Sequence, residues 1–238
     1  MRPGAAALAS VSLLVLAGGP AAGQDGSGRS PLPGRTADTG GGSQLIVARA
    51  ARTSSTTGTV TWWDRHRGRW TKAGSAPARF GAGGLVEGGA RVQGTATTPA
   101  GLYDLPHAFG IRPAPGGTDM PYRRVRETSW WCQDNDSRSY NRWTDPRPAD
   151  CRATEAEHLV SYGTQYAYAL VVGFNYERPV RGRGAGIFLH VDGDGATAGC
   201  VSVPRDAMRR ILDWAEPGRH PHIAIGTDEG GPTSLTGH

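Results

Sequence analysis

The stretch Gly186–Pro204, GIFLHVDGDGATAGCVSVP, decides how the chain is read. "GIFLHV" is an apolar, β-branched and aromatic run of the length of a buried strand. The glycine-rich turn "DGDGATAG" brings the chain back. "VSV" is apolar again before a helix begins. In "PRDAMRRILDWAEPG" the residues Ala207, Met208, Ile211, Leu212 and Ala215 recur at helical spacing. Pro204 suits the first turn, Ser202 is placed to cap nearby, and Pro217 and Gly218 stop the helix. Strand, tight return, strand and helix therefore follow one another closely. The short return also brings His190 and Cys200 towards each other.

A cysteine nucleophile needs its proton removed, and a nearby imidazole can take it. The developing oxyanion needs backbone N–H donors, and a glycine before the cysteine allows close backbone approach. The imidazole needs an acceptor on its other nitrogen. His190, Gly199 and Cys200 are candidates for these roles. Spacing alone leaves the alternative that His190 and Cys200 are simply buried side by side.

Working outward, "QLIVARA" from Gln44, "TVTWWDR" from Thr59 and "RWTKAG" from Arg69 read as strands, with "DRHRG" a hairpin turn at Gly68. The glycines and the Thr-Pro step between Arg79 and Leu105 exclude a long helix and point to short strands with backbone held close to other chain. "MPYRRVRETSWWCQDNDSRSYNRW" reads as a long decorated loop with short strands. "YAYALVVGFNYE" from Tyr166 is the strongest buried-strand signal, and "HIAIG" from His222 is a final strand. A second helix is expected in "TEAEHLVSYG", where Thr154 and Glu157 resemble a capping box. His66, His107 and His158 lie in polar or turn contexts and read as surface or structural residues. The whole is a mainly-β domain with one or two helices.

The first 23 residues have the order of a signal peptide: Arg2, an apolar run from Ala5 to Ala17, then small residues. That run is too short for a stable membrane anchor. Residues 24–43 form a linker of Gly, Ser, Pro and Thr that cannot bury enough surface to fold. Residues 44–238 form one domain. The net charge of +5 suits cell-wall polymers or lipid headgroups and equally the arginine-rich composition of a GC-rich genome, and no basic stripe with interleaved aromatics suggests nucleic-acid binding.

Three cysteines in a secreted chain is an odd count. Cys132 and Cys151 bracket a polar loop rich in turn formers, where a disulfide would contribute roughly 3 kcal/mol. That leaves Cys200 as a free reactive thiol, an intermolecular partner or a small buried hydrophobe.

"LHV…TAGCVSVP", with "TTPAGLYDL" upstream, resembles the YkuD-type L,D-transpeptidases of bacterial cell walls, in an actinobacterial branch. Thr197, Gly199, Cys200 and Val201 match the cysteine motif, and Gly94 to Gly101 with Thr98-Pro99 matches a further feature. "PYR…WWC…YNRW", "YALVVGFNY" and "GCVSVPRDAMRRILDW" extend the likeness over the folded region. The resemblance implies a YkuD-like β-sandwich or barrel, with Cys200 as acylated nucleophile and His190 as general base oriented by a carbonyl near Val191. Backbone N–H groups of Cys200 and Gly199 would form the oxyanion hole. The donor would be a peptidoglycan tetrapeptide stem, and a side-chain amine of another stem would capture the acyl group in a 3→3 cross-link. No metal or other cofactor is implied, and a monomer acting outside the cytoplasm is expected. Two departures stand out: Ala198 occupies the place of the family's second histidine, and Ser202 that of its usual asparagine. The His-to-Cys interval is also shorter than usual.

Low-specificity candidates for substrate contact are Thr197, Ser202, Tyr122 and Arg123, with Trp130–Trp131 beside them; these aromatics equally suit packing of the loop onto the sheet. The alternatives are a wall-binding module that kept the fold and lost the chemistry, and an L,D-carboxypeptidase. A papain-like or NlpC/P60 endopeptidase would need its histidine after Cys200. A zinc peptidase would need His190, Asp192 and His220 or His222, without any H-E-x-x-H.

Overall fold

The computed structural model describes residues 39–235, together with Met1, Pro33 and Thr36. The signal peptide expected over 1–23, apart from Met1, and most of the linker expected over 24–43 lie outside the described residues. The three early strands appear as β1 (Gln44–Ala50), β2 (Thr57–His66) and β3 (Arg69–Arg79). Arg67 and Gly68 both have positive φ, the geometry a two-residue hairpin requires. The glycine-rich segment gives two short strands, β4 (Leu85–Glu87) and β5 (Thr98–Asp104). The decorated middle holds β6 (Ala108–Gly110), β7 (Tyr122–Arg124), β8 (Trp130–Cys132), β9 (Arg142–Thr144) and β10 (Ala156–His158). "YAYALVVGFNYE" is extended only at β11 (Ala169–Val171). The opening stretch supplies β12 (Phe188–Val191) and β13 (Val201–Val203), then α1 (Arg205–Trp214). The chain closes with β14 (His222–Thr227).

Eleven strands form one sheet in the order β4-β5-β14-β1-β2-β3-β13-β12-β11-β6-β7, and β10-β8-β9 form a second, small sheet. The large sheet is mixed: β1 runs parallel to β14 and β12 parallel to β13, while β1–β2–β3 is antiparallel. It folds over on itself, because Ile46, Ala48 and Val60 share one buried cluster with Leu170, Leu189, Val201 and the apolar face of α1. Ala207, Met208, Ile211 and Leu212 are that face. Burying each of the larger ones contributes about 1.5–3 kcal/mol. Gln44 ties β1 to the end of the helix: its Nε2 donates to the Trp214 carbonyl at 2.6 Å, and its Oε1 accepts from the Glu216 N–H at 2.8 Å.

Period-two alternation puts two different sets of side chains on the two faces of β12 and β13. Leu189, Val191, Val201 and Val203 enter the main core. Phe188 and Cys200 belong to a second cluster with Phe109, Trp131, Leu159 and Tyr166. His190 is the next residue along on that second face.

Two local expectations are corrected. Among the described residues α1 is the α-helix; "TEAEHLVSYG" forms a 3-10 turn (Ala153–Glu155), then β10, then another 3-10 turn (Leu159–Ser161). Glu157 closes no capping box, because its carboxylate is held by Tyr166 and Gln133, and the neighbouring His158 stacks on Trp130 at 4.3 Å across the β8–β10 pair. Ser202 caps no helix: it lies in β13 with its hydroxyl donating to Asp192 at 2.7 Å, and Pro204 stands at the N-cap without a side-chain bond. Of the two readings of His107, surface or structural, burial selects the structural one: its ring stacks near Trp131 and lies tilted against Tyr176. No helix among the described residues is long and apolar enough to cross a membrane.

Candidate active site

The parallel pairing of β12 and β13 sets the positions of the two central residues. His190 lies opposite Ser202 and Leu189 opposite Val201, so Cys200 falls beside Phe188, one step before the ladder. The Cys200 Sγ accepts from the Phe188 N–H and donates to the Gly186 carbonyl, each at 3.4 Å. The 197–200 loop is clamped from the other side. Thr197 N–H donates to the Phe80 carbonyl at 2.8 Å and its carbonyl accepts from Ala82 at 2.9 Å. The Cys200 carbonyl takes hydroxyl bonds from Thr197 at 2.6 Å and Thr98 at 3.3 Å. The Thr98-Pro99 step thus works as a brace for the cysteine loop. The surrounding glycines are needed for closeness: a Cβ on Gly81 would meet the Ala96 carbonyl oxygen at 2.1 Å.

His190 and Cys200 open into one cleft of about 380 Å³, lined also by Arg91, Glu157, Tyr166 and Ala198. Cys200 is 8% exposed and His190 6%. His190 Nδ1 lies 2.8 Å from the Val191 carbonyl oxygen. A carbonyl only accepts, so the ring proton sits on Nδ1 and Nε2 carries a free lone pair. The imidazole packs nearly perpendicular to the Tyr166 ring, their centroids 5.6 Å apart. No hydrogen bond joins His190 to Cys200 directly; the thiol rests on the Gly186 carbonyl.

Burial shapes the charge states. It pushes the Cys200 thiol up to about 12, and the Glu157 carboxyl adds to the rise; the Phe188 N–H and Arg91 oppose it. Burial lowers His190 below 6.5, against the Val191 carbonyl and Asp192, which favour its cation. The resting pair is therefore a neutral thiol beside a neutral imidazole. Glu157 is itself pushed up by burial, against the hydrogen bonds from Tyr166 and Gln133.

The other expected residues are dispersed. The Gly199 N–H donates to Thr197 Oγ1 at 3.1 Å, so Thr197 occupies it. The Cys200 N–H has no acceptor among the described residues. Gly199 has φ +132°, and a Cβ there would meet Arg91 Nη2 and the Thr97 carbonyl oxygen, each at 2.8 Å. Thr197 lines the cleft, whereas Ser202 is buried on Asp192. Tyr122 and Arg123 lie on β7 at the far edge of the large sheet, outside the cleft, and the Tyr122 hydroxyl donates to the Arg112 carbonyl at 2.8 Å. Cys132 and Cys151 form a disulfide, and Cys200 is unpaired. No three His, Cys, Asp or Glu residues gather as a metal cluster among the described residues.

Sequence reading missed Arg91, Glu157 and Tyr166. Each was hidden in a segment whose local pattern had another explanation: glycine-rich backbone, a capping box and a buried strand. The one available signal was an arginine placed where neighbouring glycines leave room for a large side chain.

Comparison with solved structures finds Bd1075 of Bdellovibrio bacteriovorus, with 15% identity and a TM-score of 0.40, covering 80% of this chain and 50% of that one. It also finds Mycobacterium tuberculosis L,D-transpeptidase 1, with 14% identity and a TM-score of 0.33, covering 77% of this chain and 62% of that one. The chain thus spans half to less than two thirds of the length of these two. No curated protein matches. The family model for the YkuD L,D-transpeptidase catalytic domain matches residues 49–224, from β1 to β14 and across both His190 and Cys200. On that match, the chain belongs to the YkuD L,D-transpeptidase catalytic-domain family.

Proposed function

We propose that the protein is a peptidoglycan L,D-transpeptidase of the cell wall, exported from the cytoplasm, that transfers an acyl group through Cys200 and forms 3→3 cross-links. The observation that carries this reading is one buried imidazole, with its proton fixed on Nδ1 by Val191, sharing a cleft with the one unpaired cysteine. The disulfide fits an oxidising compartment.

The chemistry follows from the neutral pair. The Cys200 thiol leaves the Gly186 carbonyl and attacks the carbonyl carbon of the third stem residue, while its proton passes to His190 Nε2. The Val191 carbonyl stabilises the imidazolium that forms. The Cys200 N–H donates to the developing oxyanion. The C–N bond then breaks, and His190 returns the proton to the leaving amine of the terminal D-residue. In the second half, an acceptor amine attacks the thioester and gives its proton to His190. The C–S bond breaks and the thiol is restored. Ala198, exposed on the cleft wall, leaves room for the acceptor where the family's second imidazole would stand.

Mass spectrometry after incubation with a tetrapeptide stem or a carbapenem tests this. An adduct on Cys200 is expected, absent in Cys200→Ala and formed about 10²–10⁴-fold more slowly in His190→Ala. Folded protein with a reduced thiol and no adduct would reduce the chain to a wall-binding module. Release of tripeptide acid alone, with a diamino acceptor present, would make water the acceptor and the enzyme a carboxypeptidase.

A further inference from the structure

Arg91 is a cation that the chemistry above does not use. It is 6% exposed, yet no carboxylate lies within ion-pair distance of it among the described residues. Two of its nitrogens are fixed by backbone: Nε donates to the Thr97 carbonyl at 2.7 Å and Nη1 to the Arg183 carbonyl at 3.1 Å. The Phe174 ring lies 5.6 Å from its guanidinium carbon. Nη2 has no acceptor among the described residues. It sits beside Gly199, since a Cβ there would come within 2.8 Å of it. Gly184 makes the same allowance, as its Cβ would overlap Nη1. Both glycines clear a path for a guanidinium that ends one residue from the nucleophile and lines the same cleft.

A buried guanidinium stays charged and is costly without an anion, unless that anion arrives with the ligand. Its planar fork matches a carboxylate. The geometry limits where that carboxylate stands on the donor. In a peptide cut just before its last residue, the terminal carboxylate carbon lies at most about 4 Å from the attacked carbonyl carbon, by backbone bond lengths. A longer peptide places a neutral amide there instead.

We infer that Arg91 is the specificity residue of the donor subsite: its free Nη2 arm binds the terminal carboxylate of the residue that leaves, so donors must end one residue beyond the scissile bond. This rests on the acyl-transfer reading for the identity of the donor, but the subsite itself is a binding property. Glu157, on the same cleft, is not within ion-pair distance of Arg91 and leaves the guanidinium available.

The test separates the two. In Cys200→Ala protein, titration calorimetry compares a tetrapeptide stem with its terminal carboxamide. The carboxamide is expected to bind about tenfold or more weakly, the size of a lost charge-assisted hydrogen bond. In Cys200→Ala/Arg91→Gln the two ligands should bind alike. Equal binding in the Cys200→Ala parent overturns the proposal without needing any Arg91 variant to fold. Persisting discrimination in the Gln variant overturns it as well. In otherwise wild-type protein, Arg91→Gln also removes a charge that favours the Cys200 thiolate, so acylation should slow with both donors, and about tenfold more with the free acid than with the carboxamide. Equal slowing of both would put the guanidinium on the reacting thiolate or oxyanion instead, and would also overturn it. Discrimination in binding without any acylation would sink the transpeptidase reading and keep the subsite; acylation without discrimination would do the reverse.

Discussion

At Cys200 burial and a neighbouring acid both act against ionisation. The thiol sits at about 12, and the Glu157 carboxyl is the largest contributor after burial. Replacing Glu157 by Gln removes that negative charge, keeps the side-chain length and leaves an oxygen for the Tyr166 hydroxyl. Thiolate then forms at lower pH. Iodoacetamide alkylation of Cys200, followed by mass spectrometry from pH 7 to 10, should run severalfold faster in Glu157→Gln at every pH below the midpoint. An unchanged profile would mean that Glu157 does not act on the thiol through charge. His190 and Cys200 could be paired as candidates because they sit in one continuous stretch, while their roles and the Val191 carbonyl came only with the family resemblance. Arg91, Glu157 and Tyr166 reach the cleft from three separate segments. Only the sheet order brings them together, and nothing local in the sequence encodes that order.

The small sheet β10-β8-β9 is the element that holds Glu157 in place. Trp131 and Cys132 on β8 pair with Glu157 and Ala156 on β10, and Gln133 just after β8 binds the Glu157 carboxylate at 2.6 Å. Each of its strands has three residues, too few to be stable alone. The Cys132–Cys151 disulfide and the buried Asp134 supply the missing rigidity. Asp134 accepts from the Arg152 side chain and backbone N–H and from the Asp136 N–H, which hold its carboxyl well below the usual range. The turn-rich composition of this segment made the disulfide legible. It also made the Thr154–Glu157 spacing look like a helix start, because a capping box and a strand that aims a carboxylate at a cleft share the same local residues. Closing a loop of sequence separation 19 stabilises the fold by roughly 3 kcal/mol. Reduction, or Cys132→Ala/Cys151→Ala, should lower Tm by roughly 6–12 °C for a domain of this size. It should also speed alkylation of Cys200 at constant pH as the cleft wall loosens. A lower Tm with unchanged alkylation would show that the small sheet is not part of the wall.

Across the whole molecule, the strands at the two ends of the domain were readable, but their neighbours were not. β1 lies between β2, its neighbour in sequence, and β14, about 175 residues away. The local hairpin follows from its turn. The β1–β14 pairing follows only from burying β1 on both faces, with Ile46 in the main core and Leu45 in a third cluster beside Ala224. The same global burial decides between the surface and structural readings of His107 in favour of the structural one. His107 is 5% exposed, its Nε2 has no hydrogen-bond partner among the described residues, and burial lowers its pKa to about 4, helped by the positive charge of Arg123. In the unfolded chain the same imidazole titrates near 6.5. Between about 4 and 6.5 the unfolded state therefore binds more protons than the folded one, so stability is full above 6.5 and falls as the pH drops. His190, also lowered, acts in the same direction. His107 alone is expected to cost about 2 kcal/mol between pH 7 and pH 5. In His107→Phe an apolar ring fills the same pocket against Trp131 and Tyr176, and no proton can be taken up. Urea unfolding at pH 7 and pH 5 should show the variant losing about 2 kcal/mol less than the wild type. Equal losses in the two proteins would place the acid sensitivity of the fold elsewhere, with the other buried imidazole, His190, next in line.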